Sequence, residues 1–387
     1  MPTASSGAKI AGVYELPGRH LPDVSHAAIH ARSAAGALAD AGLSFEDVDG
    51  FFCSGDAPGF GSVSIADYMG LTGLSYIDTT EMGGCSPVAQ VGHAAAAIAA
   101  GKCSVALITL GGKPRTGGAV AGAPRPNAPE YSFENVYGLT TPSGYALAAT
   151  RHMYEYGTTS EQLAMIKVAA SKHASHNPEA FLPKEVTVEE VLDSPMVSSP
   201  LHRLDCCVVT DGGGAVIVVS PDVAKGLSRH SVSLLGHGEA LKTPDHGNVD
   251  LTYTGARWSG PRAFEQAGVT TDDIDYASIY DSFTITVLET IEDLGFCAKG
   301  EGGKFVMDGA LEAPYGKLPF NTDGGGLCNN HPTNRGGITK VIEAVRQLRG
   351  EAHEAVQVPD CEIALAHGTG GSLGTRSGSA TIILGRD

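Results

Sequence analysis

Two distant stretches of this chain carry the same pattern. Ala41-Gly42-Leu43-Ser44-Phe45-Glu46-Asp47-Val48-Asp49 matches Ala267-Gly268-Val269-Thr270-Thr271-Asp272-Asp273-Ile274-Asp275. Each follows an amphipathic helix, expected over Ala27 to Ala41 and over Pro261 to Ala267. Each precedes a short β-like run, Gly50 to Cys53 and Tyr276 to Tyr280. The Gly reads as a helix C-cap, and Ser44 or Thr270 opens a new turn. A second correspondence follows in the same order. A helix over Val88–Gly101 leads to a strand over Cys103–Ile108, and a helix over Gly337–Gly350 leads to a strand over Cys361–Ala366. Both strands are expected to end in Gly-rich turns, Gly111-Gly112 and Gly368 to Gly371. Two matches in one order predict two related halves, 1–225 and 226–387, each alternating strands and helices. Ala215 to Ser220 reads as the buried strand that closes the first half. Between them, over about 113–201, lies an insertion that is Gly/Pro-rich and then helical, placed to cover a ligand site.

Composition narrows the function classes. With 26 basic and 43 acidic residues the net charge is −17, which argues against a nucleic-acid or anionic-membrane partner. No uncharged apolar run reaches membrane-spanning length, and the start MPTASSGAKI lacks the pattern of a secretion signal. The eight cysteines form no CxxC pair, so no metal site is expected and a reducing cytoplasm is the expected location.

One cysteine stands apart. Cys85 falls in Glu81-Met82-Gly83-Gly84-Cys85-Ser86-Pro87, directly before the Ala-rich run VAQVGHAAAAIAAG. Ala favours helix, and Pro87 is tolerated in a first turn. A thiol at a helix N-terminus meets unpaired N–H groups and the positive end of the helix dipole, which favours the nucleophilic thiolate.

Cys85 before its helix, the two α/β halves and a late His-Pro loop together resemble the thiolase superfamily, and more narrowly its sterol-carrier-protein-2-type and bacterial lipid-transfer-protein branch. The resemblance spans essentially the whole chain, including Asp205 to Gly214, Tyr280-Asp281-Ser282-Phe283 and Asn321 to Gly337. It implies an α/β thiolase fold, a duplicated αβαβα five-layer architecture with an inserted loop and helical region. It further implies that Cys85 carries an acyl group as a thioester. Asn329-Asn330-His331-Pro332 looks like the family's Gly-His-Pro loop, whose His activates the cysteine. Ala366-His367-Gly368-Thr369-Gly370-Gly371 looks like its C-terminal Cys-x-Gly-Gly-Gly loop. His367 would then replace the Cys as acid/base, with Thr369 and Gly370 supporting an oxyanion hole. Tyr280-Asp281-Ser282-Phe283 stands where the branch carries His-Asp-Cys-Phe, so Tyr280 and Ser282 replace a His and a second thiol.

Two mechanisms remain open on this reading. A thiolase would use Cys85, His331 and His367 to cleave or form a carbon–carbon bond in a 3-oxoacyl-CoA, with coenzyme A as co-substrate. A retro-aldolase of the steroid side-chain type would split a 3-hydroxyacyl-CoA with Tyr280 as base and no acyl-enzyme. A non-catalytic acyl-CoA or lipid carrier is the third class. Lys113, Arg115, Arg151 and Lys304 are candidates for contacts to CoA phosphates. The resemblance also implies a homodimer and a small zinc-ribbon/OB-fold partner of the DUF35 type.

Overall fold

A computed structural model of the chain describes residues 7–54, 57–117, 132, 135–242, 249–332, 336–371 and 377–387. Eleven strands are named among them: β1 (Lys9–Glu15), β2 (Gly50–Cys53), β3 (Tyr76–Thr79), β4 (Val105–Gly112), β5 (Met196–Ser198), β6 (Leu201–His202), β7 (Gly212–Val219), β8 (Val232–Lys242), β9 (Tyr276–Ile279), β10 (Ile363–Gly370) and β11 (Ser377–Arg386). The helices that matter are α1 (His26–Ala41), α2 (Ser62–Met69), α3 (Ser86–Ala99), α4 (Thr141–Tyr156), α5 (Ser160–Ala174), α6 (Val188–Leu192), α7 (Pro221–Gly226), α8 (Ala256–Ala267), α9 (Thr284–Asp293), α10 (Gly302–Phe305), α11 (Gly325–Cys328) and α12 (Gly337–Arg349).

Nine strands hydrogen-bond in the order β3-β2-β4-β7-β1-β8-β11-β10-β9. The ladder is thinnest between β1 and β8, which pair only at Lys9↔Ser233 and Ile10↔Val232. This narrow seam joins two half-sheets, and α3 and α12 fill the space between them. One apolar core unites Val88, Ala94 and Ala97 of α3 and Ile338, Val341 and Ile342 of α12 with Ile108 and Val216 of the first half-sheet and Ala366 and Ile382 of the second. The run of alanines in α3 lets that helix lie close against the strands at close-packed density. Outside, α1 packs Ala34, Ala37 and Leu38 against Phe51, Leu107 and Ile217. On the far side, α8 and α9 set Ala263, Ile285 and Leu288 against Leu365 and Ile383. The layers are therefore αβαβα.

The repeat holds in atomic detail. Gly42 and Gly268 end α1 and α8 in the left-handed region, φ 72° and 70°. In each copy a short 3-10 turn follows, and its Asp caps the opening residue: Asp47 Oδ2 accepts from Ser44 N at 2.8 Å, and Asp273 Oδ2 from Thr270 N at 2.7 Å. The chain crosses from the first half-sheet to the second between β7 and β8, through α7.

Two expectations need correction. First, α8 begins at Ala256 and carries Pro261 inside it, rather than starting at that proline. Second, although Gly371 lies past the end of β10, Gly111, Gly112, Gly368 and Gly370 do not form turns. They continue β4 and β10 and pair in register, Gly112 with Gly212 and Gly368 with Ala380. Glycine in a strand marks close approach of another backbone. A Cβ on Gly112 would lie 2.7 Å from Pro332 O, and one on Gly368 only 2.6 Å from Cys85 Cα.

Of the insertion, residues 118–131, 133 and 134 lie outside the described residues. The remainder supplies α4, α5, α6 and the β5–β6 hairpin. It docks on α9 in one cluster with the second half, where Tyr145 of α4 stacks on Phe283 at 4.2 Å between ring centroids.

Candidate active site

Cys85 occupies the N-cap of α3, after a 3-10 turn over Gly83–Cys85 that Gly83 enters at φ 68°. Ser86 locks the turn, accepting from Met82 N and donating to Gly83 O, both at 2.8 Å. Three glycines crowd the cysteine. A Cβ on Gly378 would sit 3.1 Å from Sγ, one on Gly368 would press on Cα, and one on Gly84 would strike Tyr280 Cζ at 2.4 Å. The thiol is fully buried and donates to Met82 O at 3.1 Å. Burial pushes it well up against the opposing pull of its own N–H, and the negative charges of Glu239 and Glu81 add smaller upward pushes. The expected helix-terminus activation is therefore outweighed by desolvation.

Tyr280 extends β9 by one residue, donating its N–H to His367 O at 3.0 Å. Its ring lies against Gly84, and its hydroxyl is 2.8 Å from His331 Nε2. Burial pushes the phenol up and the imidazole down, the latter to about 4. Both groups are thus neutral near pH 7, and one proton lies in the hydrogen bond between them. The His331 loop is held from behind. Thr210 Oγ1 accepts from His331 N at 2.9 Å and donates to Asn330 Oδ1 at 2.7 Å. Arg19 Nη2 donates to Asn329 Oδ1 at 2.7 Å and to Glu15 Oε1 at 2.9 Å.

His367 is not brought to the sulfur. Along β10 the even positions face α3, as the contacts of Gly368 and Gly370 with Cys85 and Met82 show. His367 lies on the opposite face. Its Nδ1 bonds Thr381 Oγ1 at 2.8 Å, and Thr381 in turn bonds Ser259 of α8 at 2.8 Å. Thr369 shares that face, 3.3 Å from His367 Nε2. A one-residue offset in a strand moves a side chain across the sheet, and here it leaves Gly368 where the motif placed the imidazole. Gly370 is a ladder residue opposite Gly378 rather than part of a turn. Ser282 Oγ bonds Thr286 Oγ1 at 3.0 Å and the phenol of Tyr145, so it braces the loop.

Of the candidate phosphate contacts, Lys113 donates to Pro22 O at 3.1 Å, and the Arg115 guanidinium lies 4.4 Å from the centre of the Phe181 ring. Arg151 and Lys304 pair with Glu155 and Glu301 close by in sequence. Sequence reasoning passed over Lys340, a lysine fully buried in α12. The signal was available, because Lys340 interrupts the apolar face of GITKVIEAVRQL.

The comparisons with known proteins agree on the family and include both acyltransferases and aldolases. The family described as "Thiolase C-terminal domain-like" matches residues 238–386. An "Acetyl-CoA acetyltransferase" of Methanothermobacter thermautotrophicus is 36% identical over 374 residues, covering 95% of this chain and 97% of that protein. "Sterol carrier protein 2" of Bos taurus is 30% identical over 359 residues, covering 87% of this chain and 65% of that protein. Among solved structures, the "Ltp2-ChsH2(DUF35) aldolase" superposes with a TM-score of 0.89 at 31% identity, over 100% of this chain and 99% of that one.

Proposed function

The chain belongs to the thiolase superfamily, in its sterol-carrier-protein-2 branch, and we propose that it cleaves or forms a carbon–carbon bond in a 3-oxoacyl-CoA through an acyl thioester on Cys85. The observation that carries this reading is the position of that sulfur. It lies at the N-terminus of the central helix, beside Tyr280 and hemmed by glycines, with the Tyr280–His331 pair next to it. A thiol held protonated by burial needs a base at the moment of attack. Neutral His331 supplies it, reached through the Tyr280 hydroxyl. The sulfur attacks the 3-keto carbon, the C2–C3 bond breaks, and the leaving enolate takes its proton from the same phenol–imidazole pair. That task is not assigned to His367, whose side chain lies on the other face of β10. The thiol of free coenzyme A then displaces the acyl group and restores Cys85. The Cys85 N–H is the donor assigned to the oxyanions of both steps. No metal enters this scheme.

The test is intact-mass spectrometry after mixing with a panel of aromatic, steroid and branched 3-oxoacyl-CoAs, the bulky substrates of degradation that the branch suggests. An acyl adduct on Cys85, absent in Cys85→Ser, is the expected result. Full thiolysis by Cys85→Ala would refute it.

The Tyr280–His331 bond favours a second reading. A phenol backed by imidazole can take the β-hydroxyl proton of a 3-hydroxyacyl-CoA, so that C2–C3 cleavage gives a carbonyl compound and an acyl-CoA without an acyl-enzyme. The similarity to an aldolase supports it. Carbonyl release by Cys85→Ala, lost in Tyr280→Phe, would select this reading.

For assembly we infer a cytoplasmic homodimer that works with a small DUF35-type partner. The Ltp2–ChsH2 (DUF35) aldolase supports the partner, and the open edge of β3 supports the dimer. Among the described residues no helix is long and apolar enough to cross a membrane.

A further inference from the structure

Behind the Tyr280–His331 pair lies a buried pair of charges that the mechanism above does not use. Asp281 follows Tyr280 and has no solvent exposure. Its Oδ1 accepts the N–H of Gly326 at 2.8 Å and its Oδ2 that of Leu327 at 3.1 Å. Both donors lie in α11, the short turn that leads into Asn329, Asn330 and His331. A Cβ on Gly326 would come within 3.0 Å of both Asp281 Oδ1 and His331 Cδ2, so the carboxylate and the imidazole flank one glycine. From the other side, Lys340 Nζ reaches 2.8 Å from Asp281 Oδ1, with the lysine side chain 1% exposed. That contact lacks hydrogen-bond geometry, and among the described residues the ammonium has no hydrogen-bond partner.

Stability does not account for this lysine. Of its buried neighbours on α12, Ile338, Val341 and Ile342 are apolar, while Thr339 and Glu343 are polar. A buried ion pair is often matched or exceeded in stability by apolar residues of similar volume, and an ammonium short of hydrogen bonds is a poor packing element. What it does have is position, beside the carboxylate that anchors the loops of Tyr280 and His331.

We propose that Asp281 and Lys340 form the positioning and charge-setting unit of the Tyr280–His331 pair: Asp281 clamps the two loops together, and Lys340 offsets its charge so that His331 stays a neutral proton acceptor. This rests on the reading of Tyr280–His331 as the proton-transfer pair. The groups facing His331 are the Tyr280 phenol and Asp281 from the end of β9 and Lys340 from α12, with Thr210 uncharged. Asp323 faces Lys340 from the turn before α11. Burial lowers His331 most, Asp281 pulls it upward, and Lys340 pushes it down. Removing the lysine charge leaves the pull of Asp281 unopposed, since two N–H donors still hold that carboxylate. The imidazole then protonates at higher pH. Because the neutral ring is the working form, activity is lost earlier on acidification.

The experiment is the pH profile of kcat/KM for 3-oxoacyl-CoA thiolysis by the full chain, whose acid limb reports the free enzyme. Lys340→Met and Lys340→Gln should move that limb up by about one pH unit, and Lys340→Arg should leave it in place. A limb that stays put or moves down in the folded neutral variants overturns the proposal. So does failure of both neutral variants to fold, because the ammonium would then be structural. Tyr280→Phe and His331→Ala separate the two layers. If they retain full activity, the pair itself is wrong. If they abolish activity while Lys340→Met leaves the limb unmoved, only the role of Lys340 falls.

Discussion

The thiol of Cys85 combines two opposed influences, and the structure decides between them. A helix N-terminus favours a thiolate by roughly 1 kcal/mol or less at an exposed site, whereas full burial of a charge costs several. The sulfur accordingly stays protonated in the free protein near neutral pH. Iodoacetamide alkylation of Cys85, followed by peptide mass spectrometry, should be slow at neutral pH and keep rising past about pH 9 without a plateau, unlike an ordinary thiol. A plateau below about pH 8 would mean a preformed thiolate. Gly84 is the second residue on which the geometry turns. Its missing side chain is the space that the Tyr280 ring and the Thr369 carbonyl oxygen occupy. Gly84→Ala must displace that ring, and a misplacement of about 1 Å costs on the order of 100-fold in rate. Turnover by this variant should fall by that order while its circular dichroism is unchanged. Cys85, Tyr280 and His331 are legible in the sequence because each is a reactive side chain in a recognisable motif. Gly84 and Gly368 are legible only as turn formers, because what they provide is the absence of atoms.

At the scale of elements, the duplicated caps show what local chemistry dictates. Gly42 and Gly268 adopt left-handed φ, and a Cβ added to either would meet nothing within 4 Å, so an alanine there meets conformational strain alone. Gly42→Ala and Gly268→Ala should each cost about 1 kcal/mol, measured by urea denaturation. The two losses should add, because the sites share no partner. The same local reasoning fails for strand ends. Glycine at 368–370 signals a turn when read locally, yet β10 and β11 pair from Ile363↔Gly385 to Gly370↔Gly378. Ladder hydrogen bonds to a strand distant in sequence override the local preference. His367 is misplaced for the same reason. Its type and its motif position are both visible, but the face it occupies depends on register with β9 and β11, which no short motif carries. Pro261 gives a milder case, where packing of α8 on β8 and β11 extends a helix past a residue that would otherwise begin it.

Taken whole, the molecule manages the two ends of its long sheet differently. At β9 the outer edge is covered: Ala277 donates to Pro319 O at 3.0 Å and accepts from Asn321 N at 3.3 Å. At the other end β3 pairs only with β2 among the described residues, and Ile77 in it is 44% exposed. Apolar side chains of Phe60, Val63 and Tyr68 stand exposed on and beside α2, which packs on β3. An open strand edge beside exposed apolar side chains is a pairing surface unless something covers it. A second copy related by a two-fold axis would pair the two β3 strands antiparallel and join the half-sheets across the interface. Since α3 lies under β2 and β4, such pairing would also bring the two copies of α3 toward the same axis. Ile77→Lys puts a charge on this edge, a common way for proteins to block strand pairing. If the copies pair through this edge, the unmodified chain should sediment as a dimer and the variant as a monomer, with Gly84 and Tyr280 untouched by the change. Sedimentation velocity over a concentration series distinguishes the outcomes, and a dimer of undiminished affinity in Ile77→Lys would show that the copies meet elsewhere.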